Sequence, residues 1–185
     1  GGAGTNPGTT VYGLASWSAP ADVTACGGLS PYGTMGQGGN VAQWIETSAN
    51  GLNLDPQANR RALGYAFYFD SSSLSAVQDN GLGNLPPQND VSGTVGIRVA
   101  SVQTDSDSDS DMVTVQGGTL PTGSALANQT VSTFQIGKYE VTWAEWKAVR
   151  DWAVNNGYTD LAGVGQGSGD DHPVRNVNWL SLIHI

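Results

Sequence analysis

The residues in this chain that could do chemistry are few and widely spaced. Cys26 is the sole cysteine, so an intrachain disulfide and a Cys-rich zinc site are both excluded. His172 has no second histidine or carboxylate at metal-ligand spacing, and it reads as a loop residue ahead of Pro173 whose ring hydrogen-bonds locally. Asp170 and Asp171 precede it; a paired-carboxylate site is one reading and a solvated acidic turn the other. Gly163 to Gly169 imitates a phosphate cradle but follows a helical pattern rather than a strand, against nucleotide binding. Asp105 to Asp111 alternates acid and serine. It offers hard oxygen ligands but lacks the turn glycine and distal glutamate of a calcium loop, and reads instead as a solvated linker. Asn128-Gln129-Thr130 fits a glycosylation sequon.

The elements that must position these residues are loop-rich. Of 185 residues 26 are glycine and 12% are charged, which disfavours helix bundles and coiled coils. A formal net charge of -9 with seven cations argues against gripping nucleic acid or an anionic membrane surface. No apolar run approaches the ~18 to 20 residues a membrane span needs, and no basic-then-apolar leader opens the chain at Gly1. Leu180 to Ile185 looks like the translation of a sequencing-library adapter, which implies a truncated metagenomic reading frame.

Residues 1–31 read as irregular structure with a short strand at Thr10 to Tyr12. Trp44 and Ile45 are expected anchors, and Tyr65, Phe67 and Phe69 at period two predict a strand over Arg61 to Phe69. Val95 to Ala100 predicts another strand. Past the acidic run, Met112 to Val115 and Val131 to Ile136 predict two more, with a turn at Gly117-Gly118. A helix should start at the Thr142/Glu145 capping box and stop at Gly157, burying Trp146, Val149 and Ala153 with Trp143 beside them.

Three ordered blocks then carry a resemblance: Met112 to Thr119, Phe134 to Thr142, and His172 to Trp179. They resemble the opening half of a formylglycine-generating enzyme, or sulfatase-modifying factor, domain. Ser30 to Thr34, Gly38-Gly39-Asn40-Val41-Ala42-Gln43-Trp44, Arg61 to Tyr65, and Gly96-Ile97-Arg98-Val99-Ala100 resemble its closing half. The halves stand in inverted order. Residues 1–100 therefore look like the end of one such domain, 101–111 a linker, 112–179 the start of another, and 180–185 the adapter-derived tail. The two halves are expected to pair as a circular permutant, or between molecules as a domain swap.

The resemblance implies an α+β, irregular, loop-rich fold related to C-type lectins. It also implies oxidation of a sulfatase cysteine by molecular oxygen at a copper(I) ion held by two cysteines. The matching stretch, Arg61 to Ser73, holds no cysteine, so no catalytic residue and no copper are expected in this chain. Family members also bind calcium near the segment matched by Asn40 to Trp44. Asn40 and Gln43 are the implied calcium residues, with Ala42 and Gln43 replacing the usual Trp and Glu.

The preferred expectation is a noncatalytic, extracytoplasmic or secreted bacterial module displaying loops to a protein or glycan. One alternative is a piece of a true oxidase whose cysteines lie beyond the C-terminus. Another is a variable lectin-like binding protein.

Overall fold

The computed structural model describes residues 10–14, 18–48, 57–74, 93–102, 111–122 and 127–183. The architecture is α+β and dominated by loops, with small sheets and few helices. In the first sheet, β1 (Ala42–Ser48) lies between β2 (Arg60–Leu63), antiparallel to it, and β3 (Val95–Gly96), parallel to it. In the second, β8 (Phe134–Gly137) is central, flanked by β4 (Ala100–Val102) and β5 (Met112–Val115), both antiparallel. A two-stranded ribbon joins β6 (Gly118–Thr119) to β7 (Thr130–Val131).

The second sheet takes strands from both sides of residues 103–110. Ile136 faces Ala100 on one side and Val113 on the other. The main core is shared in the same way: Ala42, Trp44, Ala62, Tyr65 and Val95 pack with Trp146, Val174 and Val177, and Ile97 leans on that cluster. Polar ties cross the same seam. The Trp44 indole donates to the Val177 carbonyl at 2.8 Å, and the Val141 amide donates to the Ile97 carbonyl at 3.0 Å. A buried indole N–H without such an acceptor would cost a lost hydrogen bond in a dry place, so Trp44 also fixes where Val177 sits.

Helix α1 (Trp143–Asn155) starts where its local chemistry dictates. The Thr142 hydroxyl accepts from the Glu145 amide, and the Glu145 carboxylate accepts from the Thr142 amide at 2.7 Å. Its last turn closes at Asn156, with Gly157 following at φ +103°. Trp146 and Ala153 are buried, but Val149 is 39% exposed, so the buried stripe is narrower than the pattern predicts. The glycine loop packs on the tryptophans of this helix. A Cβ on Gly165 would fall 2.3 Å from the Trp146 indole nitrogen, and one on Gly167 would fall 2.2 Å from the Trp143 ring. Those glycines let backbone lie flat on two tryptophans, which is a packing role rather than a phosphate cradle. A short helix, α2 (Trp179–Ile183), follows.

Other strand expectations change. The aromatic run after Arg61 is not a strand throughout: β2 ends at Leu63, and Gly64 and Tyr65 reverse the chain at φ +94° and +56°. Val95 to Ala100 divides between two sheets, and Val131 to Ile136 divides between β7 and β8. Val11 forms an isolated bridge where a short strand was expected. Of the acidic linker, residues 105–110 lie outside the described residues, as does the tail at 184–185. Among the described residues no helix is long and apolar enough to cross a membrane.

Candidate functional site

The two segments meet at one carboxylate. Glu140 stands between β8 and α1, is 2% exposed, and points into the turn that precedes β1. In that turn Gly39 and Asn40 are both left-handed, at φ +79° and +58°. Asn40 thereby directs its amide at Glu140, with Nδ2 donating to Oε2 at 2.6 Å. The Val41 amide and Gln43 Nε2 donate to Oε1 at 3.3 and 3.4 Å.

Each amide side chain is also held from its other end. Asn40 Oδ1 accepts from the Ala21 amide at 2.9 Å, and Asn40 Nδ2 also donates to the Ala21 carbonyl at 3.3 Å. Gln43 Nε2 donates to the Gly36 carbonyl at 2.7 Å, while Gln43 Oε1 accepts from Arg98 Nε at 3.0 Å. Arg98 Nη1 donates to the carbonyls of Gly137 and Lys138 at 2.8 and 2.9 Å, and Nη2 donates to the Met35 carbonyl.

The electrostatics follow from this burial. Loss of water raises the Glu140 carboxyl to about 7, outweighing the opposing pull of Arg98 and of the Asn40, Val41 and Gln43 donors. Burial lowers Arg98 from the usual guanidinium range, opposed by the charge of Glu140. Cys26 lies against the same group; burial, then the Glu140 charge, pushes its thiol up to about 12. Its Sγ donates to the Val23 carbonyl at 3.2 Å. Gly36 closes the gap between them, since a Cβ there would stand 2.7 Å from Cys26 Sγ and 3.3 Å from Glu140 Oε2. A protonated, enclosed thiol is a poor nucleophile.

Outside Glu140 lies a cleft of about 540 Å³ whose rim carries Asp22, Asp111, Glu145 and Asp171, with Val99 and Met112 on its apolar side. His172 reaches across the segments, its Nδ1 2.9 Å from Asp22 Oδ1. It therefore has a long-range partner where a local one was expected. Asp170 forms an exposed pair with Lys147 at 3.3 Å, the solvated reading of that acidic turn. Asn128, in the sequon, is exposed with φ +66°.

Residues 98–182 match the family model described as the sulfatase-modifying factor enzyme 1-like domain. That stretch is similar to the sulfatase-modifying factor family. No curated protein and no solved structure gives a significant match. The matched stretch contains Arg98 and Glu140, while Asn40 and Gln43 come from the segment before it.

Two metals implied by a sulfatase-modifying factor can be compared with these side chains. Copper(I) needs a pair of soft thiolates, and the aromatic stretch where they belong is built into apolar packing. Phe67 is 2% exposed and shares a cluster with Val11, Ala66 and Cys26 itself. With a single thiol in place of a pair, the residues present do not fit copper(I). For calcium, Asn40 and Gln43 do come together, yet both amide oxygens face N–H donors. A hard cation on them would require Ala21 and Arg98 to release their bonds, so this donor set does not fit calcium either.

Glu140 and Arg98 stand in the resembling blocks without having been singled out as site residues. A signal for them existed: each is a charge flanked on both sides by apolar or aromatic residues, Tyr139 and Val141 in one case, Ile97 and Val99 in the other. The same flanking occurs at Asp22, Glu145 and Lys147, whose side chains stay partly exposed, so it narrows the candidates without deciding which charge is buried.

Proposed function

We propose that this chain is a noncatalytic sulfatase-modifying-factor-like module that binds a protein or glycan through loops on a C-type-lectin-like scaffold. The scaffold is assembled as a circular permutant: residues 1–100 supply the closing half, 101–111 the connection, of which Ser101 and Val102 continue β4, and 112–179 the opening half. The single observation that carries the noncatalytic reading is Phe67. The stretch resembling the family's copper-binding segment puts an apolar ring into the core beside the only cysteine. The permutant reading is supported by the shared sheet and core across the two segments. Assignment outside the cytoplasm rests on the resemblance alone.

The cleft beside Glu140 is the favoured place for a ligand, because it combines carboxylates with an apolar wall at the seam between segments. The test is to titrate the purified chain with copper(I) against a chelating competitor and to incubate it with oxygen and a cysteine peptide from a sulfatase. No stoichiometric copper and an unchanged peptide are expected. Stoichiometric copper with a formylglycine product would overturn the proposal.

A further inference from the structure

Of the two residues that the resemblance implies for calcium, Gln43 is bound to a cation the chain already owns and Asn40 to the carboxylate beside it. We infer that Arg98 is the resident cation of the Asn40–Gln43 site, and that its guanidinium closes this part of the fold without a metal ion. A hard metal ion would gather oxygens from separate stretches of chain, several of them carbonyls. Arg98 does the same. Its donors reach the Met35 carbonyl, Gln43 Oε1, and the carbonyls of Gly137 and Lys138. These acceptors come from a loop before β1, from β1 itself, and from the end of β8, on both sides of the seam.

The charge count agrees with this assignment. When ionised, Glu140 beside the cluster provides one negative charge against the one positive charge of Arg98, bridged by the neutral Gln43. A divalent ion set on Asn40 and Gln43 would meet the guanidinium across low-dielectric space, where like charges repel strongly. Gln43 fits the guanidinium because its amide can donate and accept at once. It gives Nε2 to Glu140 and the Gly36 carbonyl while receiving Arg98 on Oε1. The planar fork matters as well as the charge, since a lysine offers a point charge that cannot span the same four acceptors.

The experiment compares thermal unfolding of the purified chain in EDTA and in millimolar calcium chloride, alongside calcium calorimetry, for the wild type, Q43A, R98Q and R98K. A calcium site filled a hundredfold above its dissociation constant would raise the melting temperature by several degrees. The expected wild-type shift is below about 1 °C, within ordinary replicate scatter for such a site's absence. R98Q should melt well below the wild type whether or not calcium is present, and R98K should recover little of the loss. Weak heat that survives in Q43A belongs to the acidic rim and agrees with the inference. A saturable heat with a raised melting temperature, both abolished in Q43A, would overturn it. If R98Q does not fold, the Arg98 Nε–H resonance of the wild type decides. Slow solvent exchange, unchanged by calcium, supports the resident guanidinium, and fast exchange or displacement by calcium refutes it.

Discussion

Folding stability should fall as pH rises from about 5 to about 7, and replacing Glu140 with glutamine should remove the part of that slope that Glu140 contributes. The carboxyl is held near 7 in the folded chain against an ordinary value of 4.5. Between those two values the folded state keeps a proton that the unfolded state has released, so acidification favours folding. The contribution is fully present below about 4.5 and lost once the pH passes about 7. At roughly 1.4 kcal/mol per pH unit, the difference amounts to about 3 kcal/mol. A formal charge of -9 adds a background of self-repulsion with the same sign, which E140Q shares almost entirely. The readout is therefore the difference between two urea-unfolding profiles collected from pH 4.5 to 8. A glutamine presents one oxygen to three donors, so E140Q carries a constant cost from one donor left over. The difference should nonetheless move by about 3 kcal/mol in favour of E140Q across the window. H172N serves as a control, because His172 faces Asp22 on the rim of the same cleft. A difference that stays flat within about 0.5 kcal/mol, or that moves the other way, would refute the placement of a protonatable carboxyl at this seam.

Two further substitutions probe the parts that bring Glu140 into position. W44F removes the indole donor that reaches the buried Val177 carbonyl at 2.8 Å, and should cost about 1–3 kcal/mol in urea unfolding; a neutral effect would separate Trp44 from the seam. T142A deletes the hydroxyl half of the capping box and should cost about 1 kcal/mol with a small loss of helical circular dichroism; an unchanged midpoint would show that the cap contributes nothing at this helix start.

Helix α1 was the most legible element because its determinants are local. Thr142, Glu145 and Gly157 act within a turn of the chain they terminate, so their spacing alone decides the outcome. The aromatic stretch after Arg61 was misread for the opposite reason. Period two is a property of side-chain direction, and at Gly64 and Tyr65 the backbone abandons the extended form on which that period depends. The aromatics still cluster, with Tyr65 and Phe69 rings 5.0 Å apart edge to face, but across a reversal rather than along a strand. Val95 to Ala100 fails as one strand because its middle has another role: Arg98 turns inward to four acceptors, and the chain resumes pairing in a different sheet.

The site itself was half legible. Asn40 and Gln43 carried a recognisable pattern, but their partner lies 100 and 97 positions away, and no local period encodes a contact at that separation. Their context also explains why a carboxylate is tolerated at the seam. Joining two segments leaves backbone and amide donors from the turn before β1, and from Gln43 in β1 itself, facing the residue that follows β8. A hydrophobic residue at position 140 would leave the Val41 amide dry and unpaired, at about 1–3 kcal/mol, and would leave Asn40 and Gln43 only their carbonyl acceptors on Ala21 and Gly36. Glu140 accepts from all of them and accommodates its burial by a raised proton affinity, while Arg98 satisfies the carbonyls that the same seam leaves over. The acid handles surplus donors and the base handles surplus acceptors. This division of labour depends on which groups meet at the seam and not on which segment comes first.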